Sequence, residues 1–387
     1  MTDPNSRLLD LAVAIQQIPA PAFNEAERAG FVLRRFKEEE LADVEMDQVG
    51  NVYACLKSRV PQPASGGSGE STVRRPLVVS AHLDTVFPSG TDLHFEREPE
   101  RIRAPGIGDN SLGVAGLFGL VWALRERGLV LPGDVWLVAD VGEEGLGNLR
   151  GIRAVLDRFE ASPSRAVTGT SPLAYVILEG LALGQVYHRG LGVRRCRIKT
   201  RTPGGHSWTN YGHPSAIHEL AAISTRIVAL ELPRTPRTTL NIGVISGGSS
   251  INTIAAEAML ELDLRSESAE ILTALSWKVE QIVHSAEKPG VEVDIEIIGQ
   301  RPSGGLPADH PLVALAQECL RQAGIEPRLN IGSTDANLPL SRGLPAVAIG
   351  LTNGGRGHTV QEFINLAPLE KGMDQLLRLV TRAWEVL

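Results

Sequence analysis

His82 and Asp84, in Ser80-Ala81-His82-Leu83-Asp84-Thr85, stand two residues apart at the end of an apolar stretch, Pro76-Leu77-Val78-Val79. Residues i and i+2 of a strand share a face. The pair therefore suits a metal site in which an imidazole ligates through one ring nitrogen while a carboxylate accepts the N–H of the other. His-x-Asp by itself is a common surface pattern, and its weight comes from the charged residues placed just beyond the other apolar runs. Glu143 and Glu144 come after Val135 to Val141, Glu179 after Tyr175 to Leu178, and His358 lies beyond Ala346 to Ile349. In open α/β sheets that edge is where sites assemble. Asp109, in Gly106-Ile107-Gly108-Asp109-Asn110-Ser111, precedes an apolar helix, where Asp, Asn or Ser can equally serve as a cap. Glu143-Glu144 taken alone reads as readily as a solvated acidic turn.

Two imidazoles and several carboxylates without thiolates suit borderline to hard divalent ions, zinc first, with manganese or cobalt as alternatives. The number of candidate ligands favours two ions. Asp109, Glu144 and Glu179 would bring three negative charges to four positive ones, leaving a centre able to acidify a water, with Glu143 as a further charge nearby. Gly142 and Gly145 flank the Glu pair, and their permissive backbone lets neighbouring side chains serve as ligand and as base. Cys55, Cys196 and Cys319 are far apart, without C-x-x-C, so neither a disulfide framework nor a thiolate zinc site is expected and a reducing cytoplasm fits. His94, His188, His213, His218, His284 and His310 lack carboxylate company at ligand spacing and read as surface or helix residues. Gly113, Gly116 and Gly119 do not form G-x-G-x-x-G and predict close packing of a helix rather than a nucleotide site. No G-x-S-x-G elbow offers a serine nucleophile.

Elements must carry these residues to one place. A chain of 387 residues predicts two domains. The net charge of -7, with charges interspersed, gives no reason to expect nucleic acid or an anionic membrane as partner. The amino terminus lacks the pattern of an export signal, and the longest apolar run, Leu112 to Leu124, falls short of the roughly 20 residues of a membrane helix and reads as a buried one. Helices are expected over 8–17, 25–40 and 112–127, and strands over 51–56, 77–80, 135–141 and 175–178, with a loop rich in Gly, Ser and Pro over 61–75. Strand and helix alternate, which implies a parallel sheet. From about residue 190 the order becomes strand 193–200, helix 215–231, strands 239–245 and 256–265, helix 269–287 and strand 291–298. This is the β-α-β-β-α-β ferredoxin-like unit. A helix over 312–323 and a strand over 346–349 resume the first pattern. The expectation is a discontinuous α/β domain, residues 1–189 and 300–387, with a mainly parallel sheet and an inserted domain over 190–299.

His82-Leu83-Asp84, Gly108-Asp109-Asn110, Glu143-Glu144-Gly145, Glu179, Gly205-His206-Ser207 and Gly357-His358-Thr359 occur in an order that resembles the M20 family of co-catalytic metallopeptidases and N-acyl-amino-acid deacylases. The resemblance spans nearly the whole chain. It implies two divalent metal ions per chain, with Asp109 bridging, His82 and Glu179 completing one site, and Glu144 and His358 the other. It further implies that Asp84 orients His82 and that Glu143 is the general base in hydrolysis of an amide bond of a short peptide or an N-acyl amino acid. In such relatives the inserted domain mediates a homodimer, and a histidine matching His206 reaches the partner's site to stabilise the oxyanion. Without the resemblance, His206 reads as an ordinary loop histidine. Asn252 and Arg265 match substrate contacts; Arg265 can fork onto a carboxylate or pair locally with Glu261 or Asp263. Gly332-Ser333-Thr334-Asp335-Ala336 resembles the family's Gly-x-Thr-Asp loop, to which a supporting role is given. Glu179, where relatives carry Asp or Glu, tilts toward deacylases and carboxypeptidases, whereas the Gly332 and Gly354 segments lie closer to the peptidase T-like branch. The rivals are a metal-binding or peptide-binding relative without turnover, and a one-metal hydrolase.

Overall fold

The computed structural model describes residues 4–60, 74–160 and 171–387. The loop expected over 61–75 lies outside the described residues as far as 73. The chain forms two compact units, one comprising residues up to 189 together with 305–387, the other residues 190–304.

In the first unit, Leu77–His82, Val135–Asp140, Ala174–Glu179 and Ala346–Gly350 make the parallel core of a sheet. They are buried along almost their whole length, which is why they read as continuous apolar runs rather than alternating ones. The order across the sheet is Ala42–Met46, Val52–Leu56, Val135–Asp140, Leu77–His82, Ala174–Glu179, Ala346–Gly350 and Gln185–Gly190. The flanking strands pair antiparallel. This is the expected mixed α/β architecture with a largely parallel centre, at whose carboxyl edge four parallel strands end together.

Helix Leu112–Glu126 is buried along nearly its whole length. The segment Ile107–Glu126 is long and apolar enough to cross a membrane by composition alone, yet 83% of its most apolar stretch is buried inside the fold, the place of a core helix. Gly113 makes room for Asn110, Gly116 for Leu351 and Gly119 for Met373 and Leu8, so all three spaced glycines admit neighbouring side chains at close range. Strands Ala42–Met46 and Gln185–Gly190 and helices Arg150–Glu160 and Leu369–Val386 are additions to the elements expected from sequence. Both helices carry the expected period: Ile152, Val155, Leu156 and Phe159 are buried in one, and Leu369, Leu376, Leu379, Val380 and Ala383 in the other.

In the second unit, strands Thr238–Gly247, Glu257–Ser266, Gly192–Arg201 and Glu292–Arg301 lie side by side in that order, all antiparallel. With helices Ala216–Val228 and Ala269–His284 between them in the chain, this is the ferredoxin-like order. Leu260, Leu262 and Leu264 face a core shared with Leu220, Ile223, Leu275 and Val279. The opposite face carries cross-strand ion pairs, Arg195–Asp263 at 3.2 Å and Arg197–Glu261 at 2.7 Å.

Candidate metal centre

His82 is the last residue of its strand and Glu179 the last of the neighbouring one, so parallel pairing sets them side by side at the carboxyl edge. Asp109 enters from an irregular turn ahead of helix Leu112–Glu126, with φ -115° and ψ 88°, and its peptide to Asn110 is cis. No side chain caps that helix, so Asp109 is left for other work. Glu144 lies in the turn after Val135–Asp140, and His358 in the loop between Gly354–Gly355 and Phe363–Asn365.

His82 Nε2 lies 3.1 Å from Asp109 Oδ1 and 3.7 Å from Glu179 Oε2. His358 Nε2 lies 3.0 Å from Asp109 Oδ2 and 3.3 Å from Glu144 Oε1. The two oxygens of Asp109 thus face two different imidazoles. His82, Asp109 and Glu179 form one set of donor atoms, and Asp109, Glu144 and His358 another, all members of each set lying within 4.8 Å of one another. Ligands on a tetrahedral ion with bonds of about 2.0–2.1 Å sit roughly 3.3–3.4 Å apart. The donor sets fit that spacing, and their N and O atoms suit a borderline divalent ion.

Around these donors sits a layer of buried polar contacts. His82 Nδ1 is 3.0 Å from the backbone carbonyl of Asp84 and 3.7 Å from its carboxylate. An N–H there donates to the carbonyl, leaving Nε2 of the neutral ring bare toward the donor set. The Asp84 carboxylate turns elsewhere: Oδ1 accepts the N–H of Glu143 at 3.0 Å and Oδ2 that of Glu144 at 2.7 Å. Asp84 therefore orients the ring through its main chain and braces the Glu143-Glu144 turn through its side chain. Gly142 and Gly145 on either side have φ of 72° and 55°, which a side chain would strain. The guanidinium of Arg28, 2% exposed, donates to the carbonyls of Leu83 and Ile18 and so fixes the backbone between His82 and Asp84.

Three further residues support the centre. Glu362, fully buried, accepts the N–H of Gly108 at 2.7 Å and of Asp109 at 2.8 Å, holding the backbone of Asp109. Its spacing of four residues from His358 was the available signal. Asn110 donates to Leu178 O at 2.8 Å and accepts from Gly180 N at 2.9 Å, tying Asp109 to the strand that ends in Glu179. A Cβ on Gly113 would collide with Asn110 Oδ1, so this glycine is room for the tie. Asp140, at the end of its strand, lies beside Asp335 of the Gly332 loop.

Charge follows this geometry. Burial opposes the His82 imidazolium, but the neighbouring carboxylates of Asp109, Asp84 and Glu179 carry it well above the usual imidazole range. Hydrogen bonds to Asp109 and then Glu144 raise His358 to about 10. Burial opposes ionisation of Asp109, yet the two imidazoles hold it below the usual carboxylate range. Burial lifts Glu179, and brings Glu362 to about 7, with the Asp109 charge adding to it. Asp140 is pushed to about 7 by burial, and Asp335 well above its ordinary value by burial and by Asp140, the behaviour of a carboxyl pair that cannot ionise twice.

In the second unit, His206 pairs with Thr253 in a short two-stranded ribbon, and Ser207 donates its N–H to Asn252 O at 3.0 Å, so His206 and Asn252 are neighbours. His206 Nδ1 accepts the N–H of Trp208 at 3.1 Å. Arg265 stands at the other end of strand Glu257–Ser266, roughly 25 Å along it from Glu257 at about 3.3 Å per residue. There its Nε lies 2.8 Å from Asp263 Oδ1, the local pair weighed from sequence.

The model of the family described as peptidase family M20/M25/M40 matches residues 78–382. A peptidase M20 domain-containing protein of Schizosaccharomyces pombe is 26% identical over 390 residues, covering 96% of this chain and 84% of its own. Among solved structures, a tripeptidase of Staphylococcus aureus superposes with a TM-score of 0.79 at 21% identity, over 98% of this chain and 99% of that one. The Bacillus subtilis YXEP protein, described as a dinuclear metal-binding peptidase, gives a TM-score of 0.68 at 18% identity, over 99% of each.

Proposed function

The chain belongs to peptidase family M20/M25/M40, and from that premise we propose that it is a two-metal exopeptidase that hydrolyses an amide bond of short peptides. One observation carries the reading: Asp109 offers one oxygen to each of two imidazoles, with a carboxylate from Glu179 or Glu144 completing each set. The B. subtilis structure described as dinuclear and the S. aureus tripeptidase support it by likeness. Zinc ions held by His82, Asp109 and Glu179 and by Asp109, Glu144 and His358 would polarise the amide carbonyl and acidify a water.

The chain's own residues do the rest. Glu143, 5% exposed and fixed at its N–H by Asp84, serves as general base, receiving the water's proton and delivering it to the departing amine. His206 serves as the oxyanion donor. Its Nδ1 is already an acceptor, so the neutral ring carries its proton on Nε2. In this reading the 190–304 unit builds a homodimer, and His206 acts on the partner's site. Asn252 contacts substrate beside His206, and Arg265 anchors a substrate carboxylate by exchanging its Asp263 partner.

The test is product analysis by mass spectrometry when the zinc-, manganese- or cobalt-loaded protein meets free tripeptides, dipeptides and N-acyl amino acids. Release of a terminal residue from free peptides is the expected result. Cleavage of acylated substrates alone would make the chain a deacylase and Arg265 the leading carboxylate anchor. No cleavage of any amide, with both donor sets loaded, would overturn the hydrolase reading.

A further inference from the structure

Beside Thr85, just past the strand that ends in His82, runs the loop Ala20-Pro21-Ala22-Phe23-Asn24. Thr85, three residues beyond His82, donates its N–H to Ala20 O at 2.9 Å and is bridged to Pro21. The N–H of Asn24 returns to Pro21 O at 2.8 Å, closing a four-residue turn whose third residue, Phe23, has φ 74°. A positive φ at that position favours glycine or asparagine, and a bulky side chain there is strained. Packing does not offset the strain, since Phe23 is 65% exposed. An aromatic ring held against conformational preference, and facing water, is a feature that stability does not explain.

The ring's support leads to the catalytic turn. Phe23 donates its N–H to Glu25 Oε1 at 3.0 Å, and both oxygens of Glu25 accept from Arg150 Nη2 at 2.8 Å. The Arg150 guanidinium carbon lies 4.9 Å from the centre of the Phe23 ring. On its other side Arg150 fills the space next to Gly142, where a Cβ would collide with Nη1. One guanidinium thus separates the ring from the residue preceding Glu143. Because Glu25 neutralises Arg150, the platform presents an aromatic surface without net charge.

We propose that Phe23 is a specificity-determining residue, an aromatic wall beside the Glu143 turn that takes a large apolar or aromatic side chain of the substrate. This rests on the amide-hydrolase reading, and its test is arranged so that the two can fail separately. Phe23→Gly removes the ring and installs the residue the turn favours, so the variant is expected to unfold at the wild-type Tm or above. Zinc-loaded wild type and variant are compared on glycine tripeptides carrying a single Phe or Ala at the first, second or third position. Wild type is expected to prefer Phe at one position by about tenfold or more in kcat/KM, and the variant to lose that preference. An unchanged ratio, equal loss on both peptides, no preference in the wild type, or a change only in oligomeric state would overturn the assignment. The same peptides are titrated calorimetrically into Glu143→Gln with and without Phe23→Gly. If the wild type cleaves none of these peptides, the exopeptidase reading falls, and calorimetry still decides Phe23: about tenfold weaker binding of the Phe peptide on loss of the ring sustains it, and equal or absent binding overturns it.

Discussion

At the scale of residues, the centre is built around division of labour within one short motif. His82 supplies a ring nitrogen, Asp84 O receives the other N–H, and the Asp84 carboxylate braces the turn of Glu143 and Glu144. If Glu143 is the base, Glu143→Gln keeps the shape and removes the proton acceptor. We expect kcat to fall roughly 100- to 10,000-fold, with two ions per chain still counted by native mass spectrometry. Activity near wild type with the ions retained would place the base elsewhere. A second expectation concerns pH. Metal binding needs neutral imidazoles, whereas His82 without metal is raised and His358 stands at about 10. At pH 7–8 loading must therefore expel close to two protons, and zinc affinity should climb with pH until about 10 for the His358 set. Chelator competition across that range, with calorimetry in buffers of different ionisation enthalpy, measures both; an affinity flat in pH would contradict the imidazolium assignment. In the metal-free protein the sign runs the other way. The stabilisation from protonated His358 is complete below its ordinary value near 6.5 and is lost as pH rises through about 10.

At the scale of elements, the parallel strands deliver His82 and Glu179 side by side, while the irregular turn before helix Leu112–Glu126 has to be tied in place. Asn110 does this with two buried hydrogen bonds to the strand that ends in Glu179. Asn110→Ala leaves Leu178 O and Gly180 N unpaired, so unfolding free energy should drop by about 1–3 kcal/mol, with weaker binding of both ions because Asp109 serves both sets. Denaturant melts and metal titration would show it; loss of stability without loss of metal affinity would reduce Asn110 to a core contact. The buried strands were legible as apolar runs, and the alternation of Leu260, Leu262 and Leu264 marked the wet-faced sheet of the second unit. Glu362 and Asn110 were not, because both act on backbone atoms distant in sequence and no local period records that. Helix Arg150–Glu160 was legible in principle, its buried positions recurring at three and four residues, but it begins after Gly145, Gly147 and Asn148, a stretch whose composition reads as loop. The tie of the Asp84 carboxylate likewise depends on where a neighbouring strand's turn arrives, which strand pairing alone reveals.

For the whole molecule, the prediction concerns copies acting on one another. If His206 serves the partner's site, Glu143→Ala and His206→Ala are each nearly inactive alone, yet mixed dimers hold one competent centre. After unfolding together and refolding, random pairing should return about a quarter of wild-type activity. No recovery, with dimers confirmed by sedimentation, would assign His206 to its own chain or to assembly only.

Asp109 is reached by the chain early, but the carboxylate that fixes its backbone, Glu362, follows 253 residues later and the imidazole on its second oxygen, His358, 249 residues later. A ribosome adding roughly 5–20 residues per second spends several seconds or more between Glu179 and these groups. Until they arrive, the nascent chain has strands without their last parallel neighbour and Asp109 without its anchor. The second donor set is therefore complete, and the backbone of Asp109 fixed, only once residues 358–362 have been made; a chain cut short of them holds at most the set of His82, Asp109 and Glu179.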